Sequence, residues 1–331
     1  MQKFRLIDLY AGIGGIRLGF DQALGNSARF VFSNEIDKNC CATYEANFGK
    51  NPSGDINKIS SSDIPDFDIL LAGFPCQAFS IAGRQNGFTD IRGTHFFEIA
   101  KIIRDKKPLA FLLENVKHFR NHDKGKTFSA VKKTIEDDLG YTFYYNTLNA
   151  ADFGLAQKRQ RVFMVGFREP INFKFPKPKA SGKCVRDILE NDVEGHFFLS
   201  QKYLDTLKKH RKRHEEKNHG FGYIVLDKDG LANTLLLGGM GTERNLISDK
   251  DSLRKSGRTD ANSEAIRSLT PREALRLQGF PESFKIAVSR TSMFDQAANS
   301  VPVPVVKAVA LQMMKALEEK KPAPTMMPYI K

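Results

Sequence analysis

Over residues 1–170, short apolar runs alternate with amphipathic stretches, and this alternation narrows the possible folds more than any other feature of the chain. Apolar, β-branched and aromatic residues concentrate at 4–9, 29–33, 67–72, 109–113, 141–147 and 161–167, each a run of strand length. Between several of them, stretches such as 16–24 and 94–104 carry apolar residues at helical spacing. Strands that alternate with helices build βαβ units and a mostly parallel sheet, so the expected fold class is α/β. Ligands of such sheets sit beyond the carboxyl ends of the strands. The loops after the strands are therefore where chemistry is expected.

The pattern changes after residue 167. A Pro- and Lys-rich stretch, P-I-N-F-K-F-P-K-P-K, reads as a linker, and an irregular region with glycine clusters follows. With 331 residues, 41% of them hydrophobic, the chain can bury one large core with an insert or two ordinary ones. The expected organisation is a first domain over 1–178, a smaller irregular, β-rich domain over 179–270, and a hinge over 271–295. A helix within 296–318 packs back on the first domain, and a frayed tail covers 319–331. P-R-E-A-L-R-L-Q-G-F-P reads as a short helix with a glycine stop.

Several classes are disfavoured. The apolar runs are too short to span a bilayer, and Asp8 interrupts the apolar N-terminus, against a signal peptide. A soluble, cytoplasmic protein is expected. The four cysteines, at 40, 41, 76 and 184, form no C-x-x-C pair, which suits a reducing compartment and gives no zinc-ligand spacing. No metal is expected. The formal net charge of +13 fits either a partner rich in phosphate or a merely basic proteome.

Asp8-Leu9-Tyr10-Ala11-Gly12-Ile13-Gly14-Gly15 follows the first strand and opens a helix. Glycines allow close backbone approach, and a helix N-terminus favours an anionic group. Glu35, about twenty residues after Gly15, stands where an acid holds ribose hydroxyls. Asp55, in G-D-I, could accept from an adenine amino group. A dinucleotide fingerprint would need glycine at position 17, where Arg17 stands. A nucleoside without a pyrophosphate, such as S-adenosylmethionine, fits better, and a tight turn that binds nothing is the plain alternative.

In G-F-P-C-Q-A-F-S, Cys76 stands at the end of the third run. Free thiols are mostly protonated at neutral pH, so a nucleophile there needs a cationic or basic neighbour, and Arg84, Arg92, Arg159 and Arg161 are candidates. Glu114 of E-N-V lies between apolar Leu113 and Val116, a setting that raises a carboxyl pKa and suits a proton donor. A helix N-cap is the alternative. Gln157, Arg159 and Arg161 share one face if their segment is a strand.

In their order, D-L-Y-A-G-I-G-G, S-N-E-I-D, G-D-I, G-F-P-C-Q-A-F-S, E-N-V, Q-K-R-Q-R and Q-A-A-N-S-V resemble the motifs of DNA (cytosine-5)-methyltransferases of the small bacterial restriction-modification type. The resemblance implies a Rossmann-like S-adenosylmethionine-dependent methyltransferase domain followed by a target-recognition domain at 179–270. It implies that Cys76 attacks C6 of a flipped-out cytosine, that Glu114 contacts N3, and that Arg161, with Arg159 beside it, supports the base and Glu114. Tyr10 and Ile36 would sandwich the adenine and ribose region of the cofactor. Gly12, Gly14, Gly15, Glu35, Asp55, Ile56 and Pro75 would complete that site, closed by Asn299, Ser300 and Val301. S-adenosylhomocysteine would be the product.

For the DNA side, the resemblance implies a loop over residues 80–88 that closes on double-stranded DNA, with Ser80, Arg84 and Arg92 near the strand. Arg244, in G-G-M-G-T-E-R-N, resembles part of the recognition segment of relatives that modify short CG-containing sites, and could read guanine. A glycine-rich hairpin with solvated charges is the alternative. The basic run 208–213 lies along phosphates or is a solvated helix face. A monomer is expected, with a cognate endonuclease in the same system but no stable complex with it. Two departures stand out. The family usually has glycine where Ala298 stands, which costs about 1 kcal/mol if that backbone needs positive φ. His95 stands where leucine is usual and is given no proton-transfer role. An RNA cytosine methyltransferase and a non-catalytic DNA-binding protein are rival readings. A zinc deaminase would need cysteine where Phe79 stands.

Overall fold

Side chains alternate across the sheet in the way the apolar runs demand. The computed structural model describes residues 3–52, 54–75, 95–179, 182–216, 222–237 and 241–319. Strand β1 (Phe4–Leu9) sends Leu6 to one face and Ile7 and Leu9 to the other. Beyond it come α1 (Gly15–Leu24), β2 (Ala28–Asn34), α2 (Lys38–Phe48) and β3 (Ile69–Gly73). Then follow α3 (His95–Lys106), β4 (Ala110–Val116), α4 (Lys126–Lys133), β5 (Thr142–Asn149) and β6 (Gln160–Phe167). Each of the six apolar runs overlaps one of these strands, with ends displaced by up to three residues.

The sheet order is β2-β1-β3-β4-β6-β5. The first four strands are parallel, and β6 enters between β4 and β5 antiparallel to both. Residues of α3 and α4, among them Phe96, Ile99, Ile103 and Val131, cover one face against Leu70, Phe111 and Met164. Ile16 and Phe20 of α1 cover the other, together with a helix from the far end of the chain. This is a Rossmann-like α/β/α arrangement with an antiparallel pair added at one edge.

The start of β6 corrects one expectation. The ladder begins at Gln160, so Gln157 and Arg159 precede the strand and share no strand face with Arg161. Their side chains are spent on other backbone. Gln157 Nε2 donates to the Leu277 carbonyl at 2.9 Å, and Arg159 donates to the carbonyls of Leu235, Ala298 and Ser300.

Residues 168–179 form neither helix nor strand. After them come α5 (Gln201–Glu215), β7 (Ile247–Ser248), α6 (Lys250–Ser256) and β8 (Ile266–Arg267). Among the described residues, strand structure here amounts to the β7–β8 ladder and isolated bridges such as Val225 with Leu246, and the longest element is the helix α5. Next stand α7 (Pro271–Gln278), α8 (Arg290–Asn299) and α9 (Val303–Glu319). α7 starts at a Thr270–Glu273 capping box with Pro271 in its first turn and stops at Gly279, φ 80°. Residues 271–295 are thus mostly helical, and Ala274, Leu275, Leu277 and Met293 share a core with Leu235 and Ile247. The span 290–319 is long and apolar enough to cross a membrane, but it is broken at 300–302 and buried over 56% of its most apolar window.

A buried ion cluster ties β8 to α7. Arg267 is fully buried and donates to Asp249 at 2.9 Å and to both oxygens of Glu273 at 2.8 Å.

Candidate active site

The site begins where β1 ends. Tyr10, Gly12 and Gly14 take φ values of 52°, 54° and 84°, turning the chain sharply into α1. A Cβ at Gly14 would stand 2.2 Å from the Phe48 ring, and one at Gly15 would stand 2.5 Å from Ser300 Oγ. Gly14 thus serves packing under the loop, while Gly15 lets the loop approach the segment after α8. The Tyr10 hydroxyl donates to the His95 carbonyl at 3.2 Å, His95 Nδ1 lies 3.2 Å from the same hydroxyl, and the two rings meet edge-on at 5.2 Å. Burial pushes the Tyr10 hydroxyl well above its ordinary pKa. His95 thus packs against Tyr10 at the cleft wall.

Glu35, after β2, faces this loop. Its carboxylate accepts from the Gly12 amide at 2.7 Å and from the Ile36 and Asp37 amides at 2.8 Å. An ionised carboxylate has about four acceptor positions, so capacity remains for a ligand hydroxyl. Ile36 beside it is 68% exposed, an apolar surface turned outward at the cleft. Asp55 accepts from the Asn57 amide at 3.0 Å, and the adjacent Gly54 amide bonds the Glu35 carbonyl at 2.9 Å. Asp55 and buried Ile56 therefore stand beside the cleft rather than in its lining.

The cleft itself has a volume of about 690 Å³. Its lining brings together Tyr10, Gly12, Gly15, Glu35 and Ile36 from the first strands with Pro75, Glu114 and Arg161. Asn299, Ser300 and Val301 close it from the other end of the chain. Arg159 fixes that closing segment by donating to the Ala298 carbonyl at 2.7 Å and the Ser300 carbonyl at 2.5 Å. Ala298 lies inside α8 and has no positive φ, so alanine is unstrained there.

Glu114 lies near the end of β4 beside the β6 strand, in register with Phe163, and Arg161 is the partner of Val116. Arg161 Nε lies 3.2 Å from Glu114 Oε1, and both side chains are nearly buried. Burial raises the Glu114 carboxyl above its usual range, against the opposing pull of Arg161 and Arg159. The pair is a proton-holding group at the floor of a cleft, beside a guanidinium able to hold its ionised form.

Cys76, Ser80, Arg84 and Arg92 lie outside the described residues, as do Gly238, Gly239 and Met240. Pro75, exposed in the lining, is the residue before Cys76. Arg244 is half-buried on the single helical turn Thr242–Asn245. Its neighbour Glu243 accepts from Tyr203 Oη and Thr242 Oγ1, both at 2.8 Å, so that acid is held in place rather than freely solvated. In the basic run, Lys208 bonds Glu264 and Arg211 bonds Glu215 at 2.7 Å.

Among the lining residues that sequence reasoning left without a role, three polar ones stand out. Asn115 donates to the Phe74 carbonyl at 3.0 Å and so ties the end of β4 to the end of β3. Its place in E-N-V was the available signal. Asp37 caps α2 by accepting from the Cys40 amide at 2.7 Å, and Asp295 faces the cleft from α8. Asp295 has no motif that marks it. Among the described residues, no group of three or more metal-ligating side chains comes together.

A family model described as C-5 cytosine-specific DNA methylase matches residues 4–315. The chain is 46% identical over 327 residues to Type II methyltransferase M.HpaII of Haemophilus parainfluenzae, covering 96% of this chain and 90% of that protein. It is 45% identical over 319 residues to Type II methyltransferase M.HaeII of Haemophilus aegyptius, covering 96% and 95%. Among solved structures, the S. pombe Dnmt2 methyltransferase matches with a TM-score of 0.74 at 20% identity, covering 95% of this chain and 99% of that one. The last likeness concerns the fold.

Proposed function

This chain belongs to the C-5 cytosine-specific DNA methylase family and is a DNA cytosine-5 methyltransferase, and from that premise we propose how its own residues carry the reaction. The family implies S-adenosylmethionine as the methyl source. Glu35, with acceptor capacity left, takes the ribose hydroxyls. Tyr10 and Ile36 bracket the adenine side, with Asp55 and Ile56 behind them and Pro75 at the far end. Gly12 and Gly15 let the backbone come close, Gly14 packs beneath them, and Asn299, Ser300 and Val301 close the cleft. When bound, the cofactor supplies an electrophilic methyl group.

Cytosine must leave the stack to expose C6, at a cost of a few kcal/mol. Cys76 then bonds to C6 as a thiolate. Glu114 holds a proton at N3, which draws charge from the ring, and Arg161 steadies both carboxyl and base. C5 becomes an enamine carbon and accepts the methyl group. Loss of the C5 proton and departure of Cys76 restore the aromatic ring. Arg159 serves by holding the closing segment. Ser80, Arg84 and Arg92 meet the DNA backbone, residues 179–270 read its sequence, and Arg244 contacts a guanine in a short site containing CG. The chain acts as a monomer in the bacterial cytoplasm and protects host DNA beside a cognate endonuclease that it does not stably bind.

One observation carries the reading: a buried Glu114–Arg161 pair opens into the same cleft as the Glu35 loop, next to the residue that precedes Cys76. Duplexes with 5-fluorocytosine at the modified position should stay covalently attached in the presence of S-adenosylmethionine, because fluorine cannot leave as a proton does. Cys76→Ala should give no adduct and no methyl transfer. Absence of an adduct from wild-type protein on a pool of such duplexes would overturn the mechanism.

A further inference from the structure

The segment that follows Glu114-Asn115-Val116 carries cations that have no acidic partner among the described residues. Lys117, Arg120, Lys124 and Lys126 are all exposed, and none forms an ion pair among the described residues. Asp123 is the one acid between positions 117 and 126. Some exposed cations elsewhere do have acidic partners, as in Arg186–Asp229 at 2.7 Å, Lys255–Asp192 at 2.5 Å and Arg276–Glu282 at 2.7 Å. Unmatched charge of one sign, held together, repels itself unless an anion is near.

Its position is specific. The segment leaves the carboxyl end of β4, where Val116 still lines the cleft. Arg120 reaches across to Thr147 of β5 at 3.5 Å and lies 5.1 Å over the Tyr145 ring. The segment is also rigidly seated. Phe119 is fully buried and meets the rings of Phe74 at 5.5 Å and Phe128 at 6.1 Å. Phe74 belongs to the G-F-P-C motif itself.

We propose that residues 117–126 grip the phosphate backbone beside the nucleotide that enters the cleft, so that Phe119 links backbone capture to the end of β3. This rests on the methyltransferase reading above. A cation that meets a phosphate releases a counterion, and each such contact contributes about 0.9 to the slope of log binding constant against log salt.

The test uses full-length protein and a mixed-sequence DNA duplex, with binding measured by fluorescence anisotropy across a salt series. Lys117→Gln/Lys124→Gln should flatten the slope by about two units. Lys106→Gln/Lys107→Gln removes equal charge from the opposite end of β4 and should leave the slope unchanged. An unchanged slope in the first variant, or equal flattening in the second, would overturn the proposal. A wild-type protein that binds the duplex with a steep slope yet gives no 5-fluorocytosine adduct would instead sink the catalytic reading alone.

Discussion

Glu114 is buried, and burial raises its proton affinity while Arg161 and Arg159 oppose the rise. A raised carboxyl keeps its proton to higher pH, so the protonated form is lost as pH climbs through that value. Activity should therefore show an alkaline limb set by Glu114. Glu114→Gln keeps the shape but cannot transfer a proton. Methyl transfer should fall about 10²- to 10⁴-fold, with that limb gone and cofactor affinity by calorimetry unchanged. An intact rate would remove Glu114 from the reaction. The residue was legible because Leu113 and Val116 flank it in the sequence. Its ion-pair partner was only half legible: Arg161 stood in a named motif, but the antiparallel insertion of β6 is what sets it beside the end of β4. Arg159 looks like its twin in the sequence, yet it spends its guanidinium on three carbonyls. Nothing local distinguishes the two arginines. Likewise the loss of glycine at 298 looked costly until that position proved to be helical.

Between elements, the Arg267 cluster joins β8 to α7. Removing Arg267 leaves Asp249 and buried Glu273 without their cation, and Glu273 also closes the capping box of α7. Arg267→Met should cost about 3–5 kcal/mol of unfolding free energy in urea. Arg267 also holds the Asp249 carboxyl below its usual range, as do bonds from Ser252, against the opposing effect of burial. A depressed carboxylate stabilises fully above its unfolded pKa, about 3.9, and the increment is lost as pH falls through the folded value. The variant should thus unfold with weaker acid dependence than wild type, and equal dependence would contradict the assignment. Elements with strong periodicity, such as α1, α3 and α9, were legible in the sequence. The ladder of β7 and β8 was not, because strands of two residues carry no alternation. That region takes its order from side-chain bonds, such as Tyr203 to Glu243, which composition does not reveal.

For the molecule as a whole, the sheet is covered on one face by helices from both ends of the chain. Val305, Val306, Val309 and Met313 of α9 share a core with Phe20 of α1 and with Leu71 and Leu112 of the sheet. Gly19 of α1 has no Cβ because Val306 lies 2.5 Å from where one would be. A chain cut before residue 303 should lose cooperative thermal unfolding by circular dichroism, since a whole face of the sheet would be left in water. A sharp transition in that fragment would show the remaining core to be self-sufficient. The same closure governs the cleft, where Gly15 meets Ser300 and Arg159 moors the strip between them. Synthesis runs from the N-terminus, so Glu35 and Glu114 leave the ribosome long before their missing wall exists. The cleft therefore takes its final shape only after α8 and the strip that follows it have been made.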